Sequence, residues 1–268
     1  MTGRDRDLEF LDQSELRSVR LQLEYLKPEL EFQRLGIRST IVIFGSTTLI
    51  DPDDAQRQLE EAERAAHLAP DDERAKETVQ RARGALSKRH YYAIARELGQ
   101  RIGRHGEGPL DNRLVVVTGG GPGAMEAANR GAHDVGAVSV GLNVALPHEQ
   151  EPNPYITPEL SFEFRYFALR KLHFMMRARA LVTFPGGYGT LDELFETLCL
   201  IQTGKREPLP VILVGAAFWK SAIDFDYLCN EGMIERAHLD FFEYAESADE
   251  IMSRIEAWYA SRGRSVLE

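Results

Sequence analysis

The sequence alternates short apolar runs with helical patterns, and two of the runs end directly in glycine-rich segments. The apolar runs fall at residues 41–44, 114–118, 139–144, 181–184, 210–214 and 241–244. Short continuous apolar runs are typical of strands buried on both faces, and strands that alternate with helices form parallel sheets. We predict an α/β fold, a Rossmann-like and mainly parallel sheet of six strands with helices on both faces.

Two further stretches are predicted to lie outside this alternation. Residues 8–35 carry apolar side chains at helical spacing, which predicts an N-terminal helical extension. Residues 51–88 are rich in Ala, Glu, Gln and Arg and lack the apolar runs of the strands, so we predict one or two solvated helices there. The chain, residues 1–268, is predicted to be a single domain with these two additions.

Composition excludes several classes of partner. The formal net charge of −10 opposes binding to nucleic acid and to anionic lipid. No apolar run approaches the ~18 residues of a membrane-spanning helix, and residues 1–10 lack the apolar core of a signal peptide. We therefore expect no nucleic acid or membrane partner and a cytoplasmic location. Cys199 and Cys229 are predicted to be buried, reduced thiols without a metal.

The first glycine-rich segment follows the strand at 114–118. Its glycines are Gly119, Gly120, Gly121 and Gly123. The segment matches a degenerate dinucleotide fingerprint, but the acid expected about 20 residues later is missing, because the next strand ends near Asn143. NAD and FAD are therefore disfavoured. Two interpretations stay open: the glycines contact a ligand, or they form a tight turn that packs helix against strand.

The second segment follows the strand at 181–184 and is the more specific signal. It consists of Gly186, Gly187, Tyr188, Gly189 and Thr190, and a helix is predicted to follow. Glycines let backbone N–H groups approach an anion, and a helix start adds free amides and the positive end of its dipole. Because no Gly-Lys-Ser/Thr follows, the segment is not a P-loop. We predict a phosphate site.

Glu193 stands three residues after Thr190, and this spacing has two interpretations. It matches a capping box, in which the carboxylate only accepts from the backbone amide at the start of the helix. Alternatively, Glu193 has a chemical role, since an acid beside a phosphate site is otherwise unfavourable because two anions repel.

Residues 160–178 are predicted to form one helix that carries a polar stripe. The stripe contains Glu163, Tyr166, Arg170, His173 and Arg177, spaced three or four apart. Because the rest of the helix is apolar, the stripe is expected to face solvent, a partner or a pocket. Arg170 and Arg177 suit an anion. The apolar residues are expected in the core or a subunit interface.

Taken together, these motifs resemble the LOG ("Lonely guy") family of cytokinin riboside 5′-monophosphate phosphoribohydrolases, whose members are often labelled lysine decarboxylases. The resemblance rests on three segments: residues 119–126, the pair Arg170-Lys171, and residues 185–193 with the pattern Pro-Gly-Gly-x-Gly-Thr-x-x-Glu. Residues 146–155 look like the longer bacterial members.

The resemblance implies hydrolysis of the N-glycosidic bond of AMP or an N6-modified AMP, which gives the free base and ribose 5-phosphate. Arg170 and Glu193 are then the catalytic residues. The two glycine-rich segments and Lys171 then bind a purine nucleoside monophosphate. No cofactor and no metal are implied, and a homodimer or higher homo-oligomer is expected.

Two other functions remain as alternatives at this point. A nucleotide or molybdenum-cofactor carrier of similar fold binds and releases without hydrolysis, although the pair Arg170 and Glu193 disfavours it. A pyridoxal-phosphate decarboxylase needs a Schiff-base lysine, and Lys171 is the one well-placed candidate.

Overall fold

The computed structural model describes residues 8–144 and 151–267 and contains a seven-stranded, all-parallel sheet. The strands are β1 Ser39–Phe44, β2 Leu114–Thr118, β3 Ser139–Val144, β4 Ser161–Phe164, β5 Ala178–Thr183, β6 Val211–Val214 and β7 Phe242–Ala245. Their order across the sheet is β4-β3-β2-β1-β5-β6-β7. The predicted Rossmann-like α/β fold is confirmed.

Helices cover both faces of the sheet. They are α1 Leu8–Leu11, α2 Arg17–Arg34, α3 Pro52–Leu68, α4 Glu73–Ser87, α5 Arg89–Gly103, α6 Ala124–Asp134, α7 Phe167–Met176, α8 Tyr188–Gln202, α9 Ala216–Ala222, α10 Phe225–Asn230 and α11 Ala248–Ala260. Alternate residues of β1 enter different cores. Ile41 and Ile43 pack with α5, α6 and α11, whereas Val42 and Phe44 pack in the core that contains residues of α2, α7 and α8.

The predicted single helix over residues 160–178 is wrong. A 3₁₀ turn at Pro158–Leu160 leads into β4, and α7 begins only at Phe167. Residues of β4 alternate between exposed and buried, with Phe162 and Phe164 inside, and they pair with β3. This period of two makes the segment a strand, so the predicted stripe does not exist as one helical face.

The segment between β1 and α5 is a helical hairpin outside the sheet. Helices α3 and α4 pack on each other, joined by an ion pair between Arg83 and Glu63 at 2.9 Å, and they reach the core by way of α5. The buried residues of the two helices are only the alanines Ala55, Ala62 and Ala82. The predicted helical nature of residues 51–88 is confirmed.

Because this hairpin buries so little, replacing residues 53–87 with a short Gly/Ser linker is expected to keep the AMP hydrolysis that the family resemblance implies within about tenfold of the wild type. The change retains Asp51, which pairs with Arg130 of α6 at 3.0 Å. Adenine release and circular dichroism measure the outcome. A folded variant with no activity would contradict a purely peripheral hairpin.

The prediction of two buried cysteines is wrong. Cys199 is exposed and Cys229 is partly buried, and both are free thiols. Cys199 lies at an exposed position of α8, whereas the prediction of burial rested on its apolar neighbours in the sequence. No helix among residues 8–144 and 151–267 is long and apolar enough to cross a membrane. Of the loop predicted from Pro147 onward, residues 147–150 lie outside the described residues, as do residues 1–7 of the N-terminal segment.

The oligomeric state stays a prediction, and α7 indicates where to test it. Leu172 and Met176 are 44% and 38% exposed. We expect at least a dimer in sedimentation velocity at micromolar concentration, against a monomer mass of 30.2 kDa. Leu172→Glu should shift it to monomer, whereas the control Leu110→Glu, at a site 91% exposed, should not. A fully active wild-type monomer would contradict the prediction.

Candidate active site

A cleft of about 320 Å³ opens at the carboxyl ends of the central strands. The strand order reverses around β1, and loops that leave neighbouring strands toward opposite faces open a crevice at such a point. The lining residues come from the end of β1, from the loops after β1 and β5 and from helices α6, α7 and α8: Phe44, Gly45, Ser46, Thr47, Met125, Phe167, Arg170, Gly187, Tyr188, Gly189, Thr190 and Glu193.

The second glycine-rich segment forms one wall of this cleft. Helix α8 begins at Tyr188 with Gly187 as its N-cap, three residues earlier than predicted. A Cβ added at Gly187 or at Gly189 would meet no atom within 4 Å, so these backbone positions face open space. Tyr188 is 93% exposed. The first turn of α8 therefore offers free amides and a helix N-terminus to the cleft.

Gly186 and Thr190 pack against each other rather than facing open space. A Cβ on Gly186 would lie 2.1 Å from the Thr190 hydroxyl oxygen. Thr190 itself is buried at 5% exposure. Gly186 thus permits the turn that brings the segment onto its own helix.

Glu193 lies in the cleft and is not a capping residue. Because the N-cap is Gly187, Thr190 is the third residue of α8 and Glu193 the sixth, so the capping-box interpretation is wrong. The side chain is only 3% exposed. Burial raises the pKa of Glu193 to about 7, although the charges of Lys171 and Arg170 oppose this shift. A carboxyl group with its pKa near neutrality can gain or lose a proton under working conditions.

Arg170 reaches the same cleft from α7. Its Nε donates to the carbonyl oxygen of Leu142 at 2.8 Å, and the guanidinium packs on the rings of Phe167 and Phe174. These contacts fix the plane of the group. Within the described part of the chain the guanidinium forms no ion pair with a carboxylate. Burial lowers the pKa of Arg170, while Glu193 favours its charge.

Lys171 does not line the cleft. It lies between two carboxylates of α8. Its Nζ is 2.8 Å from both Asp192 and Glu196 of α8. Burial acts against its charge, but the bonds to these two carboxylates raise the pKa of Lys171 overall. Lys171 thereby joins α7, which carries Arg170, to α8, which carries Glu193.

This environment does not fit a pyridoxal-phosphate lysine. A Schiff-base nucleophile needs a neutral amine, which proteins obtain by lowering its pKa. Lys171 is held as a cation by its two partners.

The first glycine-rich segment is buried and packs against the loop after β1 and against Asn153. Gly120 and Gly123 have φ of 76° and 77°, which glycine adopts readily. A Cβ on Gly123 would lie 2.1 Å from the carbonyl oxygen of Ser46. The Asn153 side chain donates to the carbonyl oxygens of Gly120 and Gly121, at 3.1 Å each.

Gly119 affects the cleft through Arg170. A Cβ at Gly119 would lie 2.5 Å from one terminal nitrogen of the Arg170 guanidinium. The described contacts thus favour the tight-turn interpretation of this segment, and ligand contact by its glycines stays a prediction.

Sequence reasoning missed the loop after β1. Ser46 and Thr47 line the cleft, and Ser46 joins both glycine-rich segments. Its amide donates to the carbonyl oxygen of Pro185 at 2.9 Å, and its own carbonyl accepts from the amide of Ala124 at 3.2 Å. The sequence signal that could have indicated this part of the site is the pair Ser46 and Thr47, which closely follows the central strand β1.

The remaining stripe residues serve other contacts. His173 is buried against Tyr25 and Phe164. Arg177, which follows α7, donates to the carboxylate of Glu29 on α2 at 2.8 Å. Both residues hold α2 against the core, and neither is among the residues that line the cleft.

Comparisons with known proteins agree with the motifs. The family model described as "Possible lysine decarboxylase" matches residues 125–255. A probable cytokinin riboside 5′-monophosphate phosphoribohydrolase of Oryza sativa subsp. japonica is 27% identical over 169 residues, which cover 62% of this chain and 69% of that protein. A cytokinin riboside 5′-monophosphate phosphoribohydrolase of Arabidopsis thaliana is 27% identical over 176 residues, which cover 64% of this chain and 77% of that protein. The resemblance predicted from the motifs is confirmed.

Among solved structures, a molybdenum cofactor carrier protein from Chlamydomonas reinhardtii is similar at 18% identity and a TM-score of 0.47, covering 84% of this chain and 99% of that one. A molybdenum cofactor binding protein from Rippkaea orientalis is similar at 19% identity and a TM-score of 0.45, covering 63% and 87%.

Proposed function

Because the chain is similar to the LOG phosphoribohydrolases, we propose that it hydrolyses the N-glycosidic bond of AMP or an N6-modified AMP. The products are the free base and ribose 5-phosphate. The observation that carries the proposal is the buried carboxyl group of Glu193, which lines the same cleft as Arg170 and the open first turn of α8. The comparisons support a phosphoribohydrolase family, and the substrate is our inference.

Substrate binding begins with the phosphate. The exposed backbone at Gly187 and Gly189 lets the first amides of α8 donate to phosphate oxygens, and the helix dipole favours the negative charge. The Arg170 guanidinium supplies a fixed cation in the same cleft. The hydroxyl groups of Ser46 and Thr47 are further donors at the cleft.

The chemical step breaks the bond between C1′ of the ribose and the base nitrogen. Positive charge develops on the ribose ring, and an ionised Glu193 stabilises it and accepts a proton from the attacking water. The water oxygen bonds to C1′ as the bond from C1′ to the base nitrogen breaks. The base leaves with the bonding electrons and takes up a proton from solvent, and Glu193 then releases to solvent the proton that it accepted from the water. Burial strengthens the electrostatic effect of the carboxylate.

The direct test is to incubate the pure protein with AMP, without added cofactor, and to measure adenine and ribose 5-phosphate by chromatography. An N6-alkylated AMP in parallel compares the two substrate classes. Equal release of base and ribose 5-phosphate supports the proposal. Tight AMP binding without either product would instead support a non-catalytic carrier.

The pH dependence of turnover provides a further prediction. If ionised Glu193 is the active form, kcat at saturating AMP should rise with pH and level off above its pKa of about 7. Glu196 adds negative charge nearby and contributes to raising that pKa, so Glu196→Gln should move the midpoint to lower pH. Rate measurements between pH 5 and 9 on both proteins test this. A midpoint near the ordinary carboxyl range would contradict the assignment.

A further inference from the structure

A second cavity lies at the amino ends of β5 and β6, at the end of the sheet opposite to the catalytic cleft. Its volume is about 260 Å³, and Arg179, Arg206 and Arg264 line it together with Glu207, Trp258 and Tyr259. We call it the arginine pocket. Strands rise about 3.3 Å per residue, so the six residues of β5 separate it from the catalytic cleft by roughly 17 Å.

The arginine pocket concentrates positive charge in a chain whose net charge is −10. Among the described residues, the acid that lines it is Glu207, whose side chain is 89% exposed and whose oxygen is 3.8 Å from Arg264. Arg179 has no carboxylate partner in the described ranges. Burial lowers the pKa of Arg206, Arg179 acts in the same direction, and Tyr259 and Glu207 oppose the shift. Three guanidinium groups thus share the pocket with one exposed carboxylate, so the lining carries an excess of positive charge.

The protein holds two of these guanidinium groups in position through uncharged partners. Arg206 donates to the carbonyl oxygens of Met175 and Ala178, the second at 2.6 Å. Arg179 donates from Nε to the Ser39 hydroxyl at 3.0 Å, and the Tyr259 hydroxyl donates to the Arg179 carbonyl at 2.7 Å. Neutral acceptors orient the groups without cancelling their charge, which leaves them able to bind an anion.

We propose that the arginine pocket binds a small phosphate-type anion, either free or carried on a small molecule, separately from the catalytic cleft. Guanidinium groups suit this ligand because they present several donors in one plane. Glu207 opposes the anion only weakly, since its exposed side chain can turn toward solvent. The proposal does not depend on AMP hydrolysis.

Trp258 provides a readout that the catalytic cleft does not share. The chain has two tryptophans, of which Trp219 is fully buried and Trp258 lines the arginine pocket. Pyrophosphate, titrated in a phosphate-free buffer of low ionic strength, is expected to change the tryptophan emission. The signal should weaken with added salt and vanish in Trp258→Phe.

The double variant Arg179→Gln/Arg264→Gln should bind pyrophosphate at least tenfold more weakly while keeping AMP hydrolysis. The charge-matched control Arg57→Gln/Arg81→Gln, on exposed α3 and α4, should bind like the wild type. Arg264→Gln alone, at a half-exposed site, keeps the test valid if Arg179→Gln harms folding.

A repeat with ATP separates the two sources of the anion. Tighter binding of ATP than of pyrophosphate at this signal indicates a nucleotide ligand, and equal binding indicates a free anion. Both outcomes support the pocket. Unchanged affinity in the double variant and in Arg264→Gln, or a signal that persists in Trp258→Phe, would overturn the proposal.

Discussion

Glu193→Gln is expected to lower adenine release from AMP by on the order of a hundredfold or more while AMP binding is kept or improved. The change removes the charge that stabilises the developing cation, yet it keeps the size of a side chain that is only 3% exposed. Binding can improve because a negative charge near the phosphate is gone. Chromatographic rate measurements and calorimetric titration with AMP give the two quantities.

Glu196→Gln is the matched control, because Glu196 lies on the same helix and pairs with Lys171 at 2.8 Å rather than lining the cleft. It should retain turnover within about tenfold. Near-normal adenine release from Glu193→Gln would remove Glu193 from the mechanism. Loss of binding together with release would indicate a structural defect instead.

Stability provides a second readout for Glu193→Gln. The folded-state pKa of about 7 lies above the ordinary value of 4.5, so the wild type loses stability as pH rises between these values. Above pH 7 the buried charge lowers the free energy of unfolding by about 3 kcal/mol at most. Glu193→Gln should therefore melt higher than the wild type at pH 8, with a smaller difference at pH 5. If Glu193 only made a structural hydrogen bond, Glu193→Gln would instead melt at a lower temperature than the wild type.

The sequence predicted most of the sheet because its central strands are nearly continuous apolar runs, such as residues 41–44, 114–117 and 211–214. β4 escaped detection because Phe162 and Phe164 fit a helical pattern with their neighbours as well as a strand. Only pairing with β3, a contact between segments, decides between the two. The same ambiguity produced the false stripe that joined Glu163 to Arg177.

The candidate site was partly predictable, since glycines at strand ends have a local physical signature. The partners of Lys171 were not, because Asp192 and Glu196 reach it only when α7 packs against α8. The true start of α8 at Tyr188 was also missed, and the capping interpretation of Glu193 depended on it. Helix boundaries depend on the packing of the preceding turn, here Gly186 against Thr190.

Arg170→Ala is expected to reduce both turnover and AMP affinity, turnover by about a hundredfold and affinity by about tenfold or more. The guanidinium is held by the Leu142 carbonyl and two aromatic rings, so its free edge is fixed toward the cleft before substrate arrives. Arg165→Ala is the control, since Arg165 is exposed and pairs with Asp12 at 2.8 Å. Arg170→Lys keeps the charge but not the planar donor pair, and we expect an intermediate loss.

The titration of Glu193 distinguishes a direct role of Arg170 from general damage to the cleft. The charge of Arg170 lowers the pKa of Glu193, so Arg170→Ala should move the midpoint of the residual pH–rate profile to higher pH. Arg170→Lys should leave that midpoint nearly unchanged, because an ammonium group replaces the guanidinium. A variant that loses turnover without any shift of the midpoint would contradict the electrostatic interaction between Arg170 and Glu193. Normal turnover and normal AMP affinity in Arg170→Ala would exclude Arg170 from the site altogether.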